Sequence, residues 1–167
     1  MQPSLLLLGM DNAARIEAAA EGHPTVEGAL RAGLSVLCTE SQWPLARLTW
    51  MEGSSPTQVW SVRDGLEPLR QAWVDAGASA SWAARVAALG RPLAFAFEMA
   101  QVPRDFAARA RDASVRYVLV FPLFDGEDVV GAVEVCCEEP CVFEGLRECL
   151  VRLGRLLGNI AERKRVA

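Results

Sequence analysis

Few residues in this 167-residue chain are of a type that does chemistry. There is one histidine, His23, and there are five cysteines, Cys38, Cys136, Cys137, Cys141 and Cys149. A Ser–His or Cys–His nucleophile pair would have to use His23. Zinc and haem sites built on histidine are short of ligands for the same reason. No Gly-Lys phosphate loop, no Gly-x-Ser-x-Gly and no His-Glu-x-x-His occurs. Cys136-Cys137-x3-Cys141 is the tightest thiol cluster. On a strand, adjacent residues point to opposite faces, so Cys136 and Cys137 are not expected to share a ligand. Five is an odd number with no disulfide framework, which fits a reducing cytoplasm. No catalytic residue and no metal ligand is therefore assigned, and thiol redox chemistry is the one enzymatic alternative.

The remaining candidates suit recognition. In "RYVLVFPLFDGEDVVGAVEV" (116–135), two apolar runs flank Asp125-Gly126 and carry Tyr117 and Glu134 near their far ends. A two-residue loop at Asp125-Gly126 pairs Phe124 with Glu127, which sets Tyr117 opposite Glu134 and Leu119 opposite Ala132. One face then carries Tyr117, Leu119, Phe121, Ala132, Glu134 and Cys136, and the other Val118, Val120, Phe124, Val129, Gly131, Val133 and Val135. The mixed face is the expected wall of a small-molecule pocket. A Tyr–Glu hydrogen bond closing an ordinary core is the alternative. Trp82 is the candidate lid, and Phe95 and Phe97, from the strand at 91–98, are further candidate ligand residues. Arg109, one of three arginines in "PRDFAARARDAS", is the candidate for holding an anionic group, against the plainer reading of a solvated face.

The elements that must position these residues follow from pattern. Residues 4–21 and 25–40 read as helices, the second capped by Thr25. Residues 44–52 and 57–64 form a hairpin around "GSSP". Two short helices follow, the second closed by Gly90. Residues 91–98 are a strand, 103–114 a helix, and 116–135 a strand pair. Residues 142–165 form a long amphipathic helix with Leu146, Leu150, Leu153 and Leu157 on its apolar stripe. Gly154-x3-Gly158 on that helix would permit close approach of a second helix, and the stripe with these glycines is the expected dimer seam and relay. The order implies an α+β fold with a mostly antiparallel sheet of about five or six strands. Terminal helices are expected on one face, with short helices and loops on the other.

Composition agrees with a globular domain: about half the residues are apolar. A net charge of -4 argues against nucleic acid as the main partner. "SLLLLGM" near the start is too short to span a bilayer. Abundant Arg and Ala, with Lys164 the only lysine, is the residue usage of GC-rich coding and suggests a bacterial source.

Four fragments, in this order and spacing, resemble a GAF domain, a sensor module common in bacterial signalling. They are "LCTESQWPLARLTW", "AARVAALGRPLAF", "VPRDFAARARDASVRYVLVFPLF" and "GEDVVGAVEVCCEE". The resemblance covers about residues 25–165. It implies a helical extension over 1–24, a GAF-like core over 25–141 and a C-terminal signalling or dimerisation helix over 142–167. It implies a non-catalytic, cytoplasmic homodimer that binds a small molecule and passes the signal through its last helix to an attached or separate output domain. Neither nucleic acid nor membrane is an expected partner. No haem, bilin or metal signature is found, and the cofactor stays unknown. Where the family has a glycine-rich "GLPG" bordering its pocket, this chain has "SWAA" (81–84). That departure favours the alternative of a scaffold module whose pocket is filled by its own side chains.

Overall fold

The computed structural model describes residues 11–52, 55–140 and 146–167. The parts of the expected terminal helices before residue 11 and over 142–145, and Cys141, lie outside the described residues. Helix α1 spans Asp11–Glu21 and α2 Val26–Ser41. Thr25 caps α2 as expected, its hydroxyl accepting the Gly28 N–H at 3.0 Å. Strands β1 (Leu45–Glu52) and β2 (Ser55–Val62) form the first hairpin. Helix α3 (Glu67–Ala76) leads through a short 3-10 turn into α4 (Ala83–Leu89), which Gly90 closes at φ 66°. Strand β3 covers only Leu93–Ala96, because Phe97 begins a further 3-10 turn. Helix α5 (Arg104–Asp112), β4 (Tyr117–Asp125), β5 (Asp128–Cys137) and α6 (Leu146–Val166) complete the order.

The five strands form one antiparallel sheet in the order β2-β1-β5-β4-β3. Each face is covered by its own set of helices. On one face α1, α2 and α6 bury Ile16, Leu30, Leu34, Leu37, Leu150, Leu153 and Leu157 against Leu48, Leu119, Phe121, Val133 and Val135. On the other, α3, α4 and α5 bury Trp73, Val86 and Phe106 against Leu45, Val118, Val120 and Ala132. Burial on both faces explains why β4 and β5 read as nearly unbroken apolar runs.

The β4–β5 register corrects one expectation. The turn residues are Gly126 and Glu127, between the pair Asp125 and Asp128, with Gly126 at φ 63°. That shift of two keeps the faces. One pair further on, the ladder slips: Phe124 pairs with Val129 but Leu123 pairs with Gly131. The extra residue, Val130, is a bulge, and one extra residue exchanges the faces of everything beyond it. Tyr117 therefore pairs with Cys137, and Glu134 pairs with Val120. Tyr117 and Leu119 lie with the terminal helices, and Glu134 lies on the opposite face.

The last helix also differs from expectation. A Cβ on Gly154 would collide with the carbonyl oxygen of Pro122, and one on Gly158 with that of Phe124. The glycines thus let α6 lie directly on the β4 backbone instead of on a second helix. Leu146, Leu150, Leu153 and Leu157, expected at a dimer seam, are buried in the chain's own core.

Candidate functional site

The polar centre of the molecule is a buried ion pair on the face beneath α3 and α4. Arg47 lies on β1, in "PLARLTW", directly across the ladder from Glu134 on β5. Strand alternation sends Ala46, Leu48 and Trp50 to the terminal helices and Leu45 and Arg47 to the other side. Arg47 Nε donates to Glu134 Oε1 at 3.0 Å, and Nη2 lies 2.9 Å from the same oxygen. Nη2 also donates to the carbonyl of Ala80 at 3.1 Å. The backbone N–H of Trp82 donates to Glu134 Oε2 at 2.7 Å. Both carboxylate oxygens are engaged, and Glu134 is 0% exposed, Arg47 7%.

Aromatic rings enclose the guanidinium. Its carbon is 4.6 Å from the Trp73 ring centre and 5.5 Å from that of Trp60, a cation–π geometry strengthened by the exclusion of water. Trp60 is the cross-strand neighbour of Arg47 on β2, and Trp73 donates its indole N–H to the Ala80 carbonyl at 2.7 Å. Trp82 rests between Trp73 and Phe95, and Phe106 stacks on Trp73 and meets Phe97 edge-on. The loop at 80–82 is thereby tied to the sheet at both of its ends, through the Ala80 carbonyl and the Trp82 N–H.

Burial raises the Glu134 carboxyl above its ordinary value, and the charge of Arg47 and the Trp82 N–H act against that rise. Burial also pushes up the thiols. Cys38 rises to about 12, with a hydrogen bond to Ser61 opposing, and Cys136 rises further, helped by the nearby charge of Glu134. Cys149 is raised by burial as well. Cys38, Cys136, Cys137 and Cys149 are all buried free thiols. Cys136 and Cys137 belong to opposite faces, as strand alternation requires. Among the described residues, no group of three or more His, Cys, Asp or Glu could hold a metal ion. No helix among them is long and apolar enough to cross a membrane.

Of the expected ligand residues, Glu134, Trp82, Phe95 and Phe97 do share a face. They share it with Arg47, Trp73 and Phe106, which are buried among them, while Phe95 is partly buried. Tyr117 and Leu119 are on the opposite face, for the reason given by the bulge. Arg109 is exposed and pairs with Asp105 at 3.5 Å one turn earlier, so it does not reach inward. Arg47, the residue that organises the site, was missed. Its signal was the one charged residue in "PLARLTW", three residues into a strand whose other end carries Glu52, a position that needs a buried partner.

No protein-family model matches the chain, and no curated protein matches it. Solved structures do. One is the nlh2 GAF domain of A. aeolicus in an inactive state, at TM-score 0.63 and 18% identity, covering 96% of this chain and 99% of that one. Another is the free methionine-R-sulfoxide reductase of Neisseria meningitidis in complex with its substrate, at 0.61 and 15%, covering 92% and 88%. A third is the phycoerythrobilin-bound GAF domain of a cyanobacterial phytochrome, at 0.59 and 11%, covering 93% and 95%. The fold is GAF-like: an antiparallel five-stranded α+β sheet with helices on both faces.

Proposed function

We propose that this chain is a non-catalytic regulatory domain whose internal sheet face is closed by its own side chains. The observation that carries the reading is the Arg47–Glu134 pair, held between Trp60 and Trp73 and latched by Trp82. The two neighbours named as GAF domains support a sensory or regulatory kind of role. The reductase among the neighbours keeps an enzymatic role within the reach of this fold, and thiol redox chemistry is the enzymatic alternative for this chain. Against that chemistry here, four of the five thiols are buried and three of these are raised in pKa by burial. The sequence led to the expectation of a ligand on this face; the aromatic interior favours the scaffold alternative instead. A bacterial, cytoplasmic homodimer acting on an attached or separate output domain is the setting proposed for it.

Native mass spectrometry of the purified protein tests the closed face. The expected result is the mass of the chain, or a whole multiple of it, with no added small molecule. A co-purified molecule that is lost from a Trp82→Ala variant would overturn the reading.

A further inference from the structure

A cavity of about 500 Å³ opens where β3 and β4 meet α5. Phe97, Val102, Ala107 and Val115 supply its apolar surface, and Glu98, Gln101, Arg111, Arg116 and Tyr117 its polar groups. It borders the caged interior at Phe97, which packs on Phe106 there and lines the cavity here. Phe97 belongs to the aromatic face, whereas Tyr117 rests on the core beneath the terminal helices, so the cavity wraps around the end of the sheet.

Arg111 and Arg116 are both exposed, and neither has a carboxylate partner among the described residues. Arg109, beside them on α5, is taken by Asp105. The backbone at Arg116 is pinned on both sides: its carbonyl accepts the Phe97 N–H at 2.6 Å, and its N–H donates to the Cys137 carbonyl at 2.9 Å. Its side chain therefore projects from a fixed point. Gln101 and Ser114, in the two loops that bound the cavity, have φ of 53° and 61°. Left-handed backbone at residues other than glycine is uncommon, and it clusters at functional sites.

We propose that this cavity binds a small organic monoanion, a carboxylate on an apolar or aromatic body. The volume is that of a metabolite-sized site, with apolar walls and a few polar tips. Two guanidiniums against the one carboxylate of Glu98 leave a single positive charge to match. Arginine is the side chain best shaped for a carboxylate, through two parallel N–H donors. The proposal goes beyond the closed-face reading and does not depend on it.

The test is an amide chemical-shift titration with benzoate, phenyl phosphate and benzylamine. Benzoate is expected to give saturable shifts confined to residues 96–102 and 107–117. In R111A/R116A its affinity is expected to fall roughly tenfold or more, since one charge-assisted contact is worth about that factor. A control, R85A/R91A, removes two exposed arginines elsewhere and is expected to leave the affinity unchanged. All four positions are exposed, so both variants are expected to fold. Absence of saturable benzoate shifts there, equal affinity in R111A/R116A, or benzylamine binding as well as benzoate would overturn the proposal. Phenyl phosphate binding more tightly than benzoate would overturn the assignment to a monoanion. A sealed interior would leave each of these results unchanged, and a co-purified ligand there would not produce them.

Discussion

Arg47 and Glu134 are direct cross-strand partners on β1 and β5, and their side chains meet, Nε to Oε1, at 3.0 Å, both buried. Neither charge would be tolerated there alone. Together they leave Glu134 with both oxygens bonded and Arg47 bonded to a carboxylate and a carbonyl and bracketed by two indoles. The pair also determines where the loop at 80–82 lies.

Breaking the pair from one side is expected to be far worse than removing both charges. R47A or E134A strands a buried charge and should cost about 3–5 kcal/mol. The double variant R47M/E134L replaces the pair with apolar volume and should recover most of that loss. Urea unfolding of the four proteins measures it. Single variants within about 1 kcal/mol of the parent would show that the interior admits water.

The raised carboxyl of Glu134 fixes the sign of a pH effect. A group whose folded pKa is raised binds its proton more readily in the folded state than in the unfolded one. Its contribution to stability is therefore greatest at low pH, and falls as pH climbs from the ordinary value of 4.5 through the raised folded one. E134Q has no such proton and should lack this component of the slope. Urea midpoints of the parent and E134Q across that range provide the comparison. A parent whose stability relative to E134Q rises with pH would contradict the assignment.

Much of the fold was legible because its signals were local. Thr25 and Gly90 marked helix ends, and apolar runs on β4 and β5 marked strands covered on both sides. The resemblance to GAF domains rested on such segments in order, and the five-stranded sheet agrees with it. The pairing of Tyr117 with Glu134 was lost to Val130, because a bulge follows from how two strands twist together and not from either strand alone. The cage was illegible for a similar reason. Arg47, Trp60, Trp73 and Glu134 come from β1, β2, α3 and β5, and no spacing within one segment joins them.

Gly158→Ala separates local from tertiary preference. In an isolated helix, alanine is favoured over glycine by about 1 kcal/mol. Here the new methyl meets the Phe124 carbonyl oxygen, so α6 must lift from β4. Net destabilisation of about 1–3 kcal/mol is expected from such overpacking. Thermal melting reads it directly, and a melting temperature at or above the parent's would show that the approach is looser than described.

Thiol accessibility is expected to follow unfolding. Cys38, Cys136, Cys137 and Cys149 are buried, and burial keeps Cys38, Cys136 and Cys149 protonated at neutral pH. In native buffer none of the four should react quickly with a thiol-reactive probe; in urea all four should. Peptide mapping after a short labelling pulse assigns the sites. Fast native labelling of Cys136 would revive a thiol function for this chain.

The last helix allows the dimer question to be asked properly. The amphipathic stripe of this helix invited the expectation of a dimer that dissociates when Leu153 and Leu157 become charged. Those leucines instead meet Leu119, Phe121, Val133 and Val135 within one chain. A charge at Leu153 would be buried without a partner, a cost large against the 5–15 kcal/mol that usually holds a domain folded. L153E should therefore abolish cooperative unfolding in circular dichroism instead of releasing a folded monomer. The outer face of α6 offers the contrasting variant. Arg152 and Asn159 are exposed, and R152E/N159E should fold like the parent. If α6 does carry a dimer, sedimentation of this second variant will show dissociation with the fold intact. A folded L153E monomer would return the seam to the leucine stripe.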